Sequence, residues 1–308
     1  MTEVREFTYP SSDGVHQIHA VEWVPDGPPR AVVQIAHGIS EYIGRYDHVA
    51  RFLAGHGFLV CGNDHLGHGQ TASKGGYGFF AAQDGWTLAA ADVHHLTQLQ
   101  HKKWPGVPYF LLGHSMGSFL ARTCLCRYPG SVDGVILSGT GQEAASLIAA
   151  CKALTQVLCR TKGPRFVSPL VYALSIGNYN KPFNPARTPA DWISRDEAVV
   201  DAYMGDPLCT FIPTVSLFRD MMGGLQYIVR PASLGQMKKD TPVYFLSGDR
   251  DPVGAMGKGV EKVAGLFRDA GCTDVTVKLY PGGRHEMFNE TNKDEVLADL
   301  LAWLESKL

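Results

Sequence analysis

The pentapeptide Gly113-His114-Ser115-Met116-Gly117 is the segment best equipped for chemistry. An apolar run, 108–112 (PYFLL), precedes it, and a helical stretch over 116–127 follows. A GxSxG pattern alone recurs by chance, but a strand before it and a helix after it give it a mechanism. Its glycines permit a turn too tight for neighbouring side chains, which lifts the Ser115 hydroxyl above a sheet. The helix that opens at Met116 then aims free N–H groups and its positive end at that hydroxyl.

Serine is a weak nucleophile at neutral pH and needs a positioned base. Only one of the 12 histidines, His285, follows Ser115. A strand–turn–helix nucleophile of this kind takes its partners in the order serine, acid, histidine, so His285 is the expected base. It lies in Gly282-Gly283-Arg284-His285-Glu286, between an expected strand over 275–279 and an expected last helix over 293–308. The acid belongs after the expected strand 243–247, where Asp249 and Asp251 compete. Asp249, nearer the strand end, is placed to bond the local backbone as a turn residue. Asp251 can reach the neighbouring loop and is favoured to hold the tautomer of His285 and stabilise its imidazolium. Acyl transfer also needs two N–H donors for a developing oxyanion. Met116 offers one amide; Ile39, in His37-Gly38-Ile39-Ser40-Glu41, offers the other, with Gly38 letting the backbone approach. Asp64, His65 and His68 resemble metal ligands in type, but no fourth ligand stands nearby, so 63–69 reads as a structural turn. Neither metal nor cofactor is expected.

These groups need a frame. Segments 5–9 and 16–25 alternate around the turn Ser11-Ser12-Asp13-Gly14 and predict a hairpin. Short apolar runs at 31–36, 58–62, 108–112 and 134–137 predict strands buried on both faces, with helices over 46–56, 86–104 and 116–127 between them. The alternation stops near residue 141 and resumes at 243, followed by a helix over 257–270. Residues 1–140 and 238–308 therefore predict one α/β core, a mostly parallel sheet with helices on both faces. Residues 141–237, helical and interrupted by proline, predict an inserted cap over the catalytic face. Its apolar Leu147, Ile148, Phe211, Phe218 and Met222 are candidates to line a substrate pocket, with Ile39 and Met116 as floor and Phe288 as wall. Such a pocket favours uncharged esters of short to medium acyl chains.

Composition excludes other classes. With 308 residues, 45% hydrophobic and 19% charged, a sizeable core is available. The balance of 28 basic and 30 acidic residues, net -2, leaves no electrostatic footprint for nucleic acid. No apolar run is long enough to span a bilayer, so any membrane contact is expected to be transient and through the cap. The first residues carry mixed charge without an apolar stretch, and the seven cysteines are scattered without a CxxC pair. Both features predict a cytoplasmic protein with reduced thiols.

The chain also resembles the monoacylglycerol lipase and lysophospholipase-like serine hydrolases of the α/β-hydrolase fold. HGISEY at 37–42 resembles that family's oxyanion segment HGxxE. NDHLGHG at 63–69 resembles its D-x-R-G-H-G turn, with Leu66 where arginine is usual. GHSMGS at 113–118 matches the nucleophile turn, and SGDRDPVG and YPGGRHEMFNE resemble the acid and histidine loops. The resemblance places the acid on Asp251 and implies a carboxylic ester substrate, with monoacylglycerols or lysophospholipids as candidates. DPLCTF at 206–211 looks like part of the cap in bacterial members. A thioesterase or amidase would use the same residues, and a catalytically silent binding domain is the alternative of another class. A full triad with two oxyanion loops favours the enzyme.

Overall fold

The structure is a computed structural model that describes residues 2–72 and 76–308. The chain opens with an antiparallel hairpin, β1 (Glu3–Pro10) and β2 (Gln17–Val24). Its turn is tied by the Asp13 carboxylate, which accepts from Val15 N–H at 2.8 Å and His16 N–H at 2.9 Å. The alternating part runs β3 (Ala31–Ala36), α1 (Asp47–Gly55), β4 (Phe58–Asn63), α2 (Gly85–Lys103), β5 (Tyr109–His114), α3 (Met116–Arg127) and β6 (Gly134–Ser138). Five helices follow: α4 (Ala145–Lys162), α5 (Pro169–Leu174), α6 (Glu197–Gly205), α7 (Val215–Tyr227) and α8 (Pro231–Gln236). The chain then closes with β7 (Val243–Gly248), α9 (Lys258–Asp269), β8 (Val275–Tyr280) and α10 (Lys293–Glu305).

All eight strands form one sheet in the order β1-β2-β4-β3-β5-β6-β7-β8. β2 joins β4 antiparallel, and every pair from β4 to β8 is parallel. This is the mostly parallel sheet expected, with the predicted hairpin as its antiparallel edge. β3 to β7 are buried along their whole length, which is why they read as continuous apolar runs. Alternate residues still divide between the faces: Tyr109 and Leu111 pack with α2 and α3, Phe110 and Leu112 with α1 and α10.

Chain order reverses around β3, which pairs with β4 on one side and β5 on the other. Such a switch point opens a crevice at the carboxyl ends of the strands. Ala36 pairs with Gly113, His114 with Ser138, and Gly248 with Tyr280. The loops bearing Ile39, Ser115, Asp251 and His285 therefore leave the sheet along one edge.

The insertion is not one uniform layer. Leu217, Phe218, Met221 and Leu225 of α7 and Leu234 of α8 share a continuous apolar cluster with Ala89 and Val93 of α2 and Leu120 of α3. Ala190, Trp192 and Ile193, between α5 and α6, form a small separate cluster with Val200 of α6.

Candidate active site

Ser115 links β5 to α3 with φ 53° and ψ −121°, a backbone that a residue with a side chain adopts only when its surroundings impose it. The surroundings explain both glycines. A Cβ on Gly117 would overlap the Ala36 carbonyl oxygen, and one on Gly113 would overlap the Gly117 carbonyl. The turn is then pinned by Ser115 N–H donating to Ser138 O at 2.9 Å and by the Ser118 hydroxyl donating to Ser115 O at 2.6 Å.

His285 Nδ1 stands 3.0 Å from Asp251 Oδ2, with Asp251 fully buried. Asp251 also accepts from Val253 N–H at 2.9 Å and from the Ser247 hydroxyl at 3.2 Å. Asp249 turns the other way and accepts from Gly282 N–H at 2.8 Å, tying the acid loop to the histidine loop. With its proton on Nδ1 facing Asp251, His285 keeps Nε2 as an acceptor. Burial works to lower the His285 pKa, but the Asp251 carboxylate, aided by Glu286 and Glu41, outweighs it and leaves the imidazole above its ordinary value. The ring is flanked by His114 and Trp192, with centroids 4.7 Å and 4.8 Å away.

The loop after β3 is braced from behind. Ser40 holds φ 54°, and Gly38 N–H donates to the buried Glu41 carboxylate. Tyr46 OH donates to the same carboxylate at 2.9 Å and Arg45 at 3.1 Å. Arg45 forks onto Glu286 at 2.8 and 2.7 Å, so the two acids share one guanidinium unequally. Burial works to raise the Glu286 carboxyl, but the Arg45 fork brings it down to about 2, whereas burial pushes Glu41 up to about 7. Met116 N–H, in the first turn of α3, has no carbonyl of its own helix to bond. The Met116 side chain is buried in the core.

A cavity of ≈ 270 Å³ opens over Ser115 and His285. Ile39 and Phe211 line it. Its remaining apolar wall comes from Tyr172 of α5, Tyr203 and Met204 of α6, and Ile176, Trp192, Ile193 and Ile212 between helices. The other pocket candidates lie elsewhere. Leu147 is 49% exposed on α4, Ile148 and Phe218 are packed in the core, Met222 packs against that core, and Phe288 belongs to the cluster on the opposite sheet face. Helical spacing marked these residues as apolar but could not separate core from cavity. Trp192 and Ile193 stand among mostly polar neighbours at 177–195, where an isolated aromatic–aliphatic pair is the available sequence signal.

The residues with metal-ligand character are held by other groups of the fold. Asp64 accepts from Ile43 N–H and Gln70 N–H and meets His19 Nδ1 at 2.9 Å. His65 and His68 gather around His37, with centroids 4.1 Å and 5.3 Å from its ring. Burial lowers His65 to about 3 and His68 to about 4, and holds His37 well below the usual imidazole value, so this group directly behind the Gly38 loop is uncharged at neutral pH.

Comparison with known proteins fits this geometry. The profile of the Hydrolase_4 family, described as serine aminopeptidase, S33, matches residues 27–292. The chain belongs to this family. It is 32% identical to a monoacylglycerol lipase of Mycolicibacterium smegmatis over 98% of both chains. It is 28% identical to the human monoglyceride lipase over 92% of this chain and 86% of that one. Among solved structures it resembles a thermostable carboxyl esterase from Bacillus coagulans in complex with glycerol, with TM-score 0.92, 29% identity and 99% coverage of each chain. The fold is that of the α/β-hydrolases, and the chain is a serine hydrolase of carboxylic esters.

Proposed function

We propose that the protein hydrolyses monoacylglycerols or closely related lipid esters through an acyl-enzyme on Ser115. The observation that carries this reading is the apolar cavity walled by Ile39, Trp192, Phe211 and Ile212, into which the Ser115 turn and His285 both open. The Ser115 hydroxyl attacks the ester carbonyl while His285 Nε2 takes its proton. The carbonyl oxygen gains negative charge and is met by the Ile39 and Met116 amides. As the tetrahedral centre collapses, His285 returns the proton to the leaving alcohol. Water, deprotonated by the same nitrogen, then attacks the acyl-Ser115 ester and releases the fatty acid. Asp251 holds the His285 tautomer and stabilises the imidazolium each time it forms.

Two further aspects belong to this proposal. Leu147 and Val157 of α4, Val167 in the link and Leu170 and Leu174 of α5 are exposed, apolar side chains suited to transient contact with a lipid layer. Among the described residues no helix is long and apolar enough to cross a membrane. All seven cysteines are free thiols, in keeping with a cytoplasmic setting.

The test is a comparison of kcat/KM across p-nitrophenyl esters from acetate to palmitate, a monoacylglycerol, a lysophospholipid, an acyl thioester and an aminoacyl p-nitroanilide. Preference for the monoacylglycerol and apolar esters supports the proposal; preference for the anilide or thioester replaces it with the amidase or thioesterase reading.

A further inference from the structure

The main chain of His285 is held by the insertion rather than by the sheet. His285 N–H donates to Trp192 O at 3.3 Å, and Glu286 N–H donates to Ile193 O at 2.7 Å. Two consecutive amides of the histidine loop thus pair with two consecutive carbonyls of the segment between α5 and α6. The Arg284 guanidinium donates to the Ser194 carbonyl at 3.0 Å and to the Asp191 carbonyl. The Ser194 hydroxyl donates to Asn289 O at 2.9 Å.

At the centre of this seam sits Glu290, with no exposed surface. Its Oε1 accepts from Arg284 N–H at 2.9 Å and from Arg195 N–H at 3.1 Å. Its Oε2 accepts from Arg195 Nε at 2.9 Å and from Thr291 N–H at 2.9 Å. One carboxylate therefore joins the residue before the catalytic histidine to the backbone of the insertion. A buried carboxylate that accepts from four N–H donors is strongly committed to one geometry, because each donor left unpaired in the interior carries its full desolvation penalty. The reaction described above does not use Glu290, and the bond between His285 and Asp251 does not need it as a partner.

We infer that Glu290, with Arg195 and the 191–194 backbone, is a positioning device that sets His285 against Asp251 and Ser115. The inference rests on the triad reading of the preceding section. It follows that the 190–195 segment is part of the active-site frame and stays with the core. Glu290 is a positioning residue: it reaches the chemistry only through the placement of the His285 main chain.

Glu290→Gln and Arg195→Lys test this, with Ser115→Ala measured alongside. Glutamine keeps the size but turns one acceptor into a donor facing N–H donors. Lysine keeps the charge of the pair but loses the Nε and Nη2 donors that reach Glu290 and Asn292. A displacement of about 1 Å at the reacting groups costs up to ~10²-fold. For Glu290→Gln we expect kcat lower by about that factor, with KM within about twofold of wild type. Arg195→Lys should lower kcat by about tenfold and move the pH inflection of kcat/KM down towards the ordinary histidine value. The titratable groups facing His285, the carboxyls of Asp251, Glu286 and Glu41 and the neutral ring of His114, and the Glu290–Arg195 charges are all retained in Arg195→Lys, so that shift reports geometry. Variants that melt earlier yet keep wild-type kcat and inflection below their melting temperature would overturn the inference. Should Glu290→Gln fail to fold, Arg195→Lys decides alone. Near-wild-type esterase activity in Ser115→Ala would instead overturn the triad reading, and this inference with it.

Discussion

Asp251 Oδ2 meets His285 Nδ1 at 3.0 Å, while Asp249, two residues earlier, is spent on Gly282 N–H. The two carboxylates therefore separate by function although both reach the histidine loop. Asp251→Asn is expected to lower kcat by roughly 10⁴-fold, because an amide no longer holds the productive tautomer. Asp249→Asn keeps a side-chain oxygen for Gly282 and should cost less than about 1 kcal/mol of stability with little change in kcat. Kinetics and urea midpoints of both variants check this, and reversed results would transfer the acid to Asp249.

Ser115→Ala should abolish fluorophosphonate labelling and lower kcat by on the order of 10⁴–10⁶-fold, leaving oxyanion and binding effects only. The pH profile adds an independent check on the base. His285 must be neutral to accept the Ser115 proton, so activity is present above its pKa and lost as pH falls through it. Since Asp251 and its neighbours hold that pKa above the ordinary imidazole value, kcat/KM should rise through an inflection higher than about 6.5. An inflection at or below that value would mean that the Asp251 contact does not govern the free enzyme.

The frame of this site was legible in the sequence because each piece combined a pattern with a local constraint. Strands buried on both faces produce uninterrupted apolar runs, and β3, β5 and β7 fall where those runs predict them. Gly113 and Gly117 flank Ser115 because there is no space for a Cβ at either position. The pocket was less legible. Phe218 and Phe211 are both apolar residues of the insertion, yet one completes the core and the other faces the cavity. That difference depends on how α7 packs against α2 and α3, a long-range outcome that periodicity does not encode. The pairing of Trp192 and Ile193 carbonyls with the histidine loop is a backbone relationship and leaves no side-chain signature at all.

Acid stability should report the buried histidines. His37, His65, His68 and His114 are all held below the ordinary imidazole value by burial. In the unfolded chain they take up protons near 6.5, so their contribution is complete above that pH and is lost as pH falls towards the folded values. Each adds about 1.4 kcal/mol per pH unit within that window. Glu41, raised to about 7, works in the opposite sense: its contribution is present below its unfolded value and lost as pH rises through 7. Glu286, lowered to about 2, matters only below its unfolded value of 4.5. The net expectation is a fall in stability between about pH 6.5 and 4. His68→Phe should flatten that fall by one histidine's share, since His68 Nε2 has no partner among the described residues and the ring already lies against Phe80 and Phe211. Urea midpoints measured across this range test it, and an unchanged slope in the variant would show that His68 is not held neutral.

The cavity walls give the remaining prediction, and the structure moves it to different residues from those the sequence favoured. Each methylene that the cavity can enclose should gain up to about 0.8 kcal/mol in transition-state binding, or nearly fourfold in kcat/KM. The ≈ 270 Å³ cavity limits how far that gain continues along an acyl chain. Ile212→Ala and Ile176→Ala enlarge the wall without touching Ser115, Asp251 or His285, so the chain-length optimum should move to longer esters in both. Phe218→Ala removes a side chain that is only 2% exposed and packed between α7 and the core helices. It should cost about 3–5 kcal/mol of stability and leave the chain-length profile of the remaining folded enzyme in place. The p-nitrophenyl ester series, run on all three variants well below their melting temperatures, separates the two kinds of residue. A profile that shifts in Phe218→Ala and stays fixed in the isoleucine variants would put the acyl chain against α7 instead of against the walls formed by Ile176 and Ile212.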